Sequence, residues 1–324
     1  MEKSKISFIK KIVANFLYFF VSLIGFCFYM LPFFVKSFLA HLLSLLWFYV
    51  IRFKRKVMLL NLSKVFPRKK QESTREFKQR CESLAQKNMH HLILLVFEAL
   101  ERPFYREKDK GRKFFVSGDE NLFKYIREGQ GVFFLTSHLG NWEIMTVLGV
   151  LLNFPLDIIG RYLRSPFWDY LLKKSRLSAG VGLIEEKNSG IHIIRSIKSA
   201  RMVGFMADQH TGDPHGLPST FLGIEDAWTP KGLTILAARL KAPILPAYIY
   251  RDKKGSHQLV IEEALEFNFQ DKKVTSNSED MKNHLLLINK KMEEQILKHP
   301  EQYNWMHKRF KRAFNYKTEK LPWS

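Results

Sequence analysis

Apolar residues run almost without interruption over positions 12–35. At about 1.5 Å per helical residue, that stretch can cross a hydrocarbon core of roughly 30 Å. A membrane helix is predicted there. Lys36 breaks the run, and positions 37–51 are apolar again but too short to cross unaided, so an interfacial or re-entrant segment is expected. After a basic link, Ser73-Thr74-Arg75-Glu76 has the spacing of a capping box. Phe77, Leu84, Leu92, Leu95 and Val96 then continue an amphipathic helix toward Glu101, ended by Pro103. His90 and His91 on this helix read as surface or core residues rather than ligands.

From Lys113 onward, short apolar runs alternate with helical stretches. Strands are predicted over 131–135, 156–159, 182–184, 202–207, 244–249 and 258–261, and helices over 122–128, 142–152, 166–178, 189–199, 230–240 and 278–298. Strands separated by helices of this length predict an α/β fold with a sheet covered on both faces. Residues 1–56 are expected to form the membrane helix and interfacial segment, and 57–324 the α/β domain. Positions 271–280 read as a polar surface loop.

Composition narrows the partners. Lys and Arg number 52 against 31 Asp and Glu, a formal charge of +21, which calls for an anionic partner: nucleic acid, membrane phosphate or an acidic protein. Basic residues cluster after the apolar region (Arg52, Lys54, Arg55, Lys56, Lys64, Arg68, Lys69, Lys70) and at the C-terminal end (Lys308, Arg309, Lys311, Arg312, Lys317, Lys320). Clusters flanking an apolar segment favour anionic membrane lipid over nucleic acid. Lys3, Lys5, Lys10 and Lys11 precede that segment, and the positive-inside rule tolerates this best if both flanks are cytoplasmic. A cleaved signal peptide would carry a shorter apolar core and a small-residue cleavage site. Cys27 and Cys81 build neither a disulfide framework nor a cysteine zinc site, and suit a reducing compartment.

The candidate chemistry centres on Thr136-Ser137-His138-Leu139-Gly140-Asn141-Trp142-Glu143, which follows the apolar run ending at Leu135. On one continuous helix, His138 and Glu143 would point roughly 140° apart, so they meet only if a turn at Gly140-Asn141 intervenes. A histidine oriented by a carboxylate can take a proton from an alcohol near neutral pH. A surface-loop histidine beside a helix cap fits the same residues. Gly160-Arg161-Tyr162-Leu163-Arg164-Ser165-Pro166 puts two arginines at a strand exit, which suits phosphate or carboxylate binding or a solvated surface pair. Met206-Ala207-Asp208-Gln209-His210-Thr211-Gly212-Asp213 ends another strand. Asp208, His210 and Asp213 could hold a divalent cation, but Gly212-Asp213-Pro214 is itself a turn signal and the stronger reading. The tail from His299 to Lys311 interleaves aromatics and cations, as at a membrane interface, with packing of Trp305 into the core an equal alternative. No G-x-S-x-G elbow, P-loop or dinucleotide loop is present.

Taken in order, these segments resemble the bacterial lipid A secondary (late) acyltransferases, the Kdo-lipid A lauroyl/myristoyl acyltransferase family. The resemblance runs from the N-terminal apolar helix to about Arg312. It includes Asn61-Leu62-Ser63-Lys64-Val65-Phe66-Pro67, the H-x-x-x-x-[DE] motif of His138 to Glu143, then Arg161, Asp208-Gln209 and His299-Pro300-Glu301-Gln302 with Trp305, His307 and Arg309. It implies a glycerolphosphate-acyltransferase-like α/β fold, a mixed sheet flanked by helices. It also implies transfer of a fatty acyl chain from acyl carrier protein to a hydroxyl of a lipid A precursor at the cytoplasmic face of the inner membrane. Carried over, His138 is the general base, Glu143 its orienting carboxylate, and Arg161 an arginine near the thioester or a substrate phosphate. Asp208, Gln209, Arg164 and Asn141 join it in binding substrate. His210 departs from the commoner small or acidic residue at its position, and Arg164 matches less regularly. No metal or other cofactor and no nucleic acid partner is implied. An acyl-CoA-dependent glycolipid or phospholipid acyltransferase of the same fold, and a non-catalytic basic membrane-anchored protein, are the competing expectations.

Overall fold

The computed structural model describes residues 8–147, 149, 155–160, 165–177, 181–185, 189–267 and 279–324. Seven strands among them form one sheet: β1 (Phe114–Ser117), β2 (Val132–Thr136), β3 (Leu156–Gly160), β4 (Gly182–Glu185), β5 (Met202–Met206), β6 (Ile244–Arg251) and β7 (His257–Ile261). Their spatial order is β1-β7-β6-β2-β5-β3-β4, and every neighbouring pair is parallel except β6 with β7. The sheet is therefore mixed, as the family resemblance implies. All five positions of β2 are buried, because both faces of this central strand are covered, and a continuous apolar run is what such a strand needs. Phe133 packs with Val203 and Ile244 in one core, and its neighbour Phe134 packs with Met202 and Leu245 in another. The alternation places one core on each face of the sheet.

The predicted strands appear within two residues of their expected bounds. β1 is an addition, as is the helix Arg55–Val65 where a basic link was expected. Call the latter α3, and let α4 be Thr74–Glu101, α5 Asp119–Arg127, α6 Pro166–Leu177, α7 Ser189–Lys198, α8 Gly232–Leu240 and α9 Glu279–Lys298. The segment expected as a helix after Trp142 begins instead with a 3₁₀ turn, Ile144–Val147. Most of its remainder lies outside the described residues, as does the expected polar loop up to Glu279.

The N-terminal region breaks into helices at a different point from the one the apolar runs suggest. Helix α1 (Phe8–Met30) ends before Pro32, and α2 (Phe33–Leu46) runs on through a π turn, Trp47–Ile51. The break falls at Pro32, whose ring disfavours helical geometry at Leu31. Lys36 does not interrupt α2, because its ammonium is neutralised 2.7 Å from the Glu101 carboxylate. Two stretches, Ile12–Met30 and Phe33–Ile51, are thus long and apolar enough to cross a membrane.

Both helices lie along α4. Gly25 meets the Leu100 carbonyl so closely that a β-carbon would sit 2.2 Å from its oxygen, and the Phe28 ring stacks on Phe97 at 4.3 Å. Helix α4 starts with the predicted capping box, since the Ser73 amide donates to Glu76 at 2.8 Å and the Glu76 amide to Ser73 Oγ at 3.2 Å. Its C-terminal half is covered by the hairpin on one side and the domain on the other, so it is buried almost all round. The outward faces of α1 and α2 remain apolar: Phe16, Phe19, Phe34 and Phe38 are all well over half exposed.

Candidate active site

Strands β2 and β5 are parallel neighbours with Thr136 level with Met206. Two residues beyond each strand end therefore stand side by side, and these are His138 and Asp208. The His138 amide donates to Asp208 Oδ2 at 3.1 Å and its Nδ1 lies 2.9 Å from Oδ1. Two contacts to one carboxylate fix the imidazole in place and assign the Nδ1 proton to the Asp208 side. Asp208 is buried. Burial works to raise its pKa, but the charge of His138, with side-chain and backbone hydrogen bonds from the same residue, prevails and holds the carboxyl below its usual range. The other nitrogen, Nε2, faces the Gln209 side-chain amide at 3.0 Å, and the Trp142 ring stands edge-on to the imidazole at 5.0 Å.

The turn after His138 is fixed by backbone. Gly140 has φ +59°, and a β-carbon there would fall 1.8 Å from the Ile249 carbonyl oxygen, so only glycine allows the turn to rest on β6. Its amide donates to Gln302 at 3.0 Å, and the Asn304 amide donates to the His138 carbonyl at 3.0 Å. The Gly140 carbonyl accepts from His91 Nε2 at 3.1 Å, and His91 Nδ1 faces Arg251. Asn141, expected among the substrate-binding residues, is fully buried: it donates to Glu98 at 2.8 Å and accepts from the Ile144 amide at 3.3 Å. It shapes the turn.

Glu143 stands apart from His138. The structure does not bring it to His138; its carboxylate lies between Arg102 (2.6 Å) and Arg176 (2.7 Å). Burial opposes its ionisation, but the two guanidinium groups outweigh that and lower its pKa. The 3₁₀ turn after Asn141 aims Glu143 toward α4 and α6. There Glu143 and Arg176 border an apolar cavity of about 70 Å³ walled by Phe134, Met145, Leu156 and Met206. Arg161 and Arg164 lie outside the described residues.

Sequence reasoning missed the buried pair beneath the turn, Glu98 and Arg251, joined at 2.5 Å. Neither residue type nor spacing marks it, because the partners come from α4 and the end of β6. The tail is core: Trp305 is 1 % exposed, and Arg309 is buried, donating to the Trp228 carbonyl and, at 2.9 Å, to Thr229. Lys308, Lys311 and Arg312 stay exposed beside it. Among the described residues no group of three His, Cys, Asp or Glu side chains is placed to hold a metal ion, and Asp208 is committed to His138.

Histidines with depressed pKa values give the fold an acid limit. His210, His257 and His307 are each pushed down to about 4, with burial the leading cause in all three. Unfolded histidines take up protons near 6.5, so between that pH and about 4 the unfolded chain holds more protons and stability falls with pH. Glu98, held at about 2 because Arg251 outweighs its burial, adds a further loss below about 4.5. The thermal midpoint is expected to drop steadily from pH 7 to pH 4. A level midpoint across that interval contradicts the lowered pKa values of these rings.

Comparison with known proteins bears on this arrangement. The family described as bacterial lipid A biosynthesis acyltransferase matches residues 3–312. The lipid A biosynthesis palmitoleoyltransferase of Escherichia coli (strain K12) is 23% identical over 233 residues, 71% of this chain and 72% of that protein. The lipid A biosynthesis lauroyltransferase of the same organism is 26% identical over 184 residues, 56% of this chain and 55% of that protein. The crystal structure of a 1-acyl-sn-glycerophosphate (LPA) acyltransferase from Thermotoga maritima aligns with 81% of this chain and 98% of its own, at 16% identity and a TM-score of 0.35.

Proposed function

Because the chain belongs to the bacterial lipid A biosynthesis acyltransferase family, a match spanning residues 3–312, we propose a specific course for the acyl transfer it performs: from acyl carrier protein to a hydroxyl of a lipid A precursor, with His138 as general base. The observation that carries this reading is the His138–Asp208 pair at the carboxyl ends of two adjacent parallel strands, with Nε2 on the side away from Asp208, against the Gln209 amide. Asp208, rather than Glu143, is the orienting carboxylate.

In this mechanism Nε2 takes the acceptor hydroxyl proton as its oxygen bonds to the thioester carbonyl carbon. Asp208 balances the imidazolium that forms. The carbonyl π electrons move to oxygen, giving a tetrahedral oxyanion within reach of the Gln209 amide. Collapse restores the carbonyl, breaks the carbon–sulfur bond, and returns the proton from Nε2 to the departing thiolate. Base and oxyanion donor contribute roughly 10²–10⁴ and 10²–10³ respectively, enough for an ester exchange that starts from an activated thioester. The apolar cavity beside Trp142 has room for a short stretch of hydrocarbon, which supports an acyl tail threading between β3 and the 3₁₀ turn. Arg161, immediately following β3 in sequence, is proposed to meet the thioester or an acceptor phosphate.

Exposed Lys308, Lys311 and Arg312 follow the segment that is hydrogen-bonded to the catalytic turn, and their charge suits an acidic carrier protein. Basic residues flank both ends of the apolar hairpin, supporting a cytoplasmic location of the site at the inner membrane. The test is to incubate the purified enzyme with a lipid A precursor and either acyl carrier protein or CoA thioesters, and to weigh the lipid. One added acyl mass, formed faster with the carrier protein, is expected. Faster transfer from the CoA thioester overturns the donor assignment, and an unmodified precursor with both donors overturns the acceptor.

A further inference from the structure

The turn between α1 and α2 does not project away from the domain. Gly255, between β6 and β7, lies so close to the Phe33 ring that a β-carbon would sit 2.2 Å from it. The Lys113 ammonium donates to the Tyr29 carbonyl at 3.0 Å and lies 3.5 Å from the centre of the Tyr29 ring. Between these contacts opens a cavity of about 420 Å³, within the size range of small-ligand sites. Strand register builds its domain wall. Phe114 is level with His257, so the residues just before β1 and those just before β7 reach the same end of the sheet.

The cavity is electropositive. Lys36, Arg112, Lys113 and Lys254 line it against two carboxylates, Glu98 and Glu101. Both acids are already engaged, Glu101 by Lys36 at 2.7 Å and Glu98 by Arg251 at 2.5 Å, and Arg112 is paired with Asp109 at 2.8 Å. Lys113 and Lys254 have no carboxylate within ion-pair distance among the described residues. His257 lines the same space at 3 % exposed, and its Nδ1 has no hydrogen-bond partner. Two ammonium groups without a carboxylate partner face one open cavity whose own acids are already paired, which is the chemistry of an anion site. At the hairpin side, Met30 and Phe34 are 64% and 73% exposed, so the apolar surface continues up to the cavity.

We propose that this cavity binds the phosphate headgroup of an anionic membrane lipid, the phosphate oxygens accepting from Lys113 and Lys254 and the lipid tails lying over Met30 and Phe34. A free phosphate would use the charge and leave the apolar border without a role. The proposal requires only that the hairpin meets lipid, and it stands apart from the acyl-transfer chemistry.

The test uses the full chain in neutral detergent, titrated with short-chain phosphatidic acid, with phosphatidylcholine of the same tails and inorganic phosphate as comparisons. Saturable binding of phosphatidic acid is expected, about tenfold weaker in Lys254→Glu and weaker again when Lys113→Met is added. Lys254 is exposed, so its single variant keeps the test interpretable if the double variant fails to fold. Equal affinity of wild type and Lys254→Glu for phosphatidic acid overturns the site, as does equally tight phosphatidylcholine. Inorganic phosphate that displaces phosphatidic acid at equal affinity overturns the lipid as occupant.

Discussion

Replacing His138 with alanine is expected to slow acyl transfer by about 10²–10⁴-fold while folding and membrane association persist. The side chain is partly exposed, and its removal deletes one hydrogen-bonding ring without opening the core. Asp208→Asn is expected to produce a loss of similar order, felt in kcat more than in the acceptor KM, because the amide can neither hold the Nδ1 proton in the same way nor balance an imidazolium. The double variant should be little worse than either single change, since the two residues act as one unit. Steady-state rates with a saturating thioester check all three. Near-wild-type activity in His138→Ala removes the residue from the chemistry, and an unimpaired Asp208→Asn removes the carboxylate from its orienting role.

Glu143→Gln is expected to cost stability rather than only rate. Arg102 and Arg176 both point at this carboxylate, with side-chain exposures of 2% and 17%. Neutralising it leaves two guanidinium groups facing each other with little water, a loss of about 3–5 kcal/mol if it matches other broken buried pairs. Adding Arg176→Met, which removes one cation, should recover part of that loss. Chemical denaturation measures both. If Glu143 oriented His138, the same substitution would depress kcat and leave the denaturation midpoint where it was, so the two readings predict opposite patterns.

The α/β layout was legible because buried strands write themselves as short apolar runs: Val132 to Leu135 and Met202 to Met206 leave few other readings. β1 escaped notice because it is a four-residue edge strand of Phe-Phe-Val-Ser beginning directly after a lysine. The break between the two apolar helices was placed at Lys36 and not at Pro32 because a lysine in an apolar stretch reads as a stop. The carboxylate that cancels it, Glu101, lies 65 residues away on another helix. The partner of His138 was obscured in the same manner. A carboxylate five positions downstream is visible in one dimension, whereas Asp208 is 70 positions away and becomes adjacent only through the register of β2 with β5. The sequence marked Asp208 as part of the site and could not say which neighbour it served.

The hairpin of α1 and α2 is fastened to α4 along its length, from Gly25 against Leu100 to Lys36 against Glu101. Among the described residues the hairpin packs directly on the domain that carries the proposed site, which on the proposed reading keeps the enzyme from leaning out to sample dissolved lipid. Its encounters with acceptor are collisions within a plane. Turnover in vesicles should therefore follow the mole fraction of acceptor in the surface, and diluting that surface with inert lipid should slow the enzyme even when the total acceptor in the tube is unchanged.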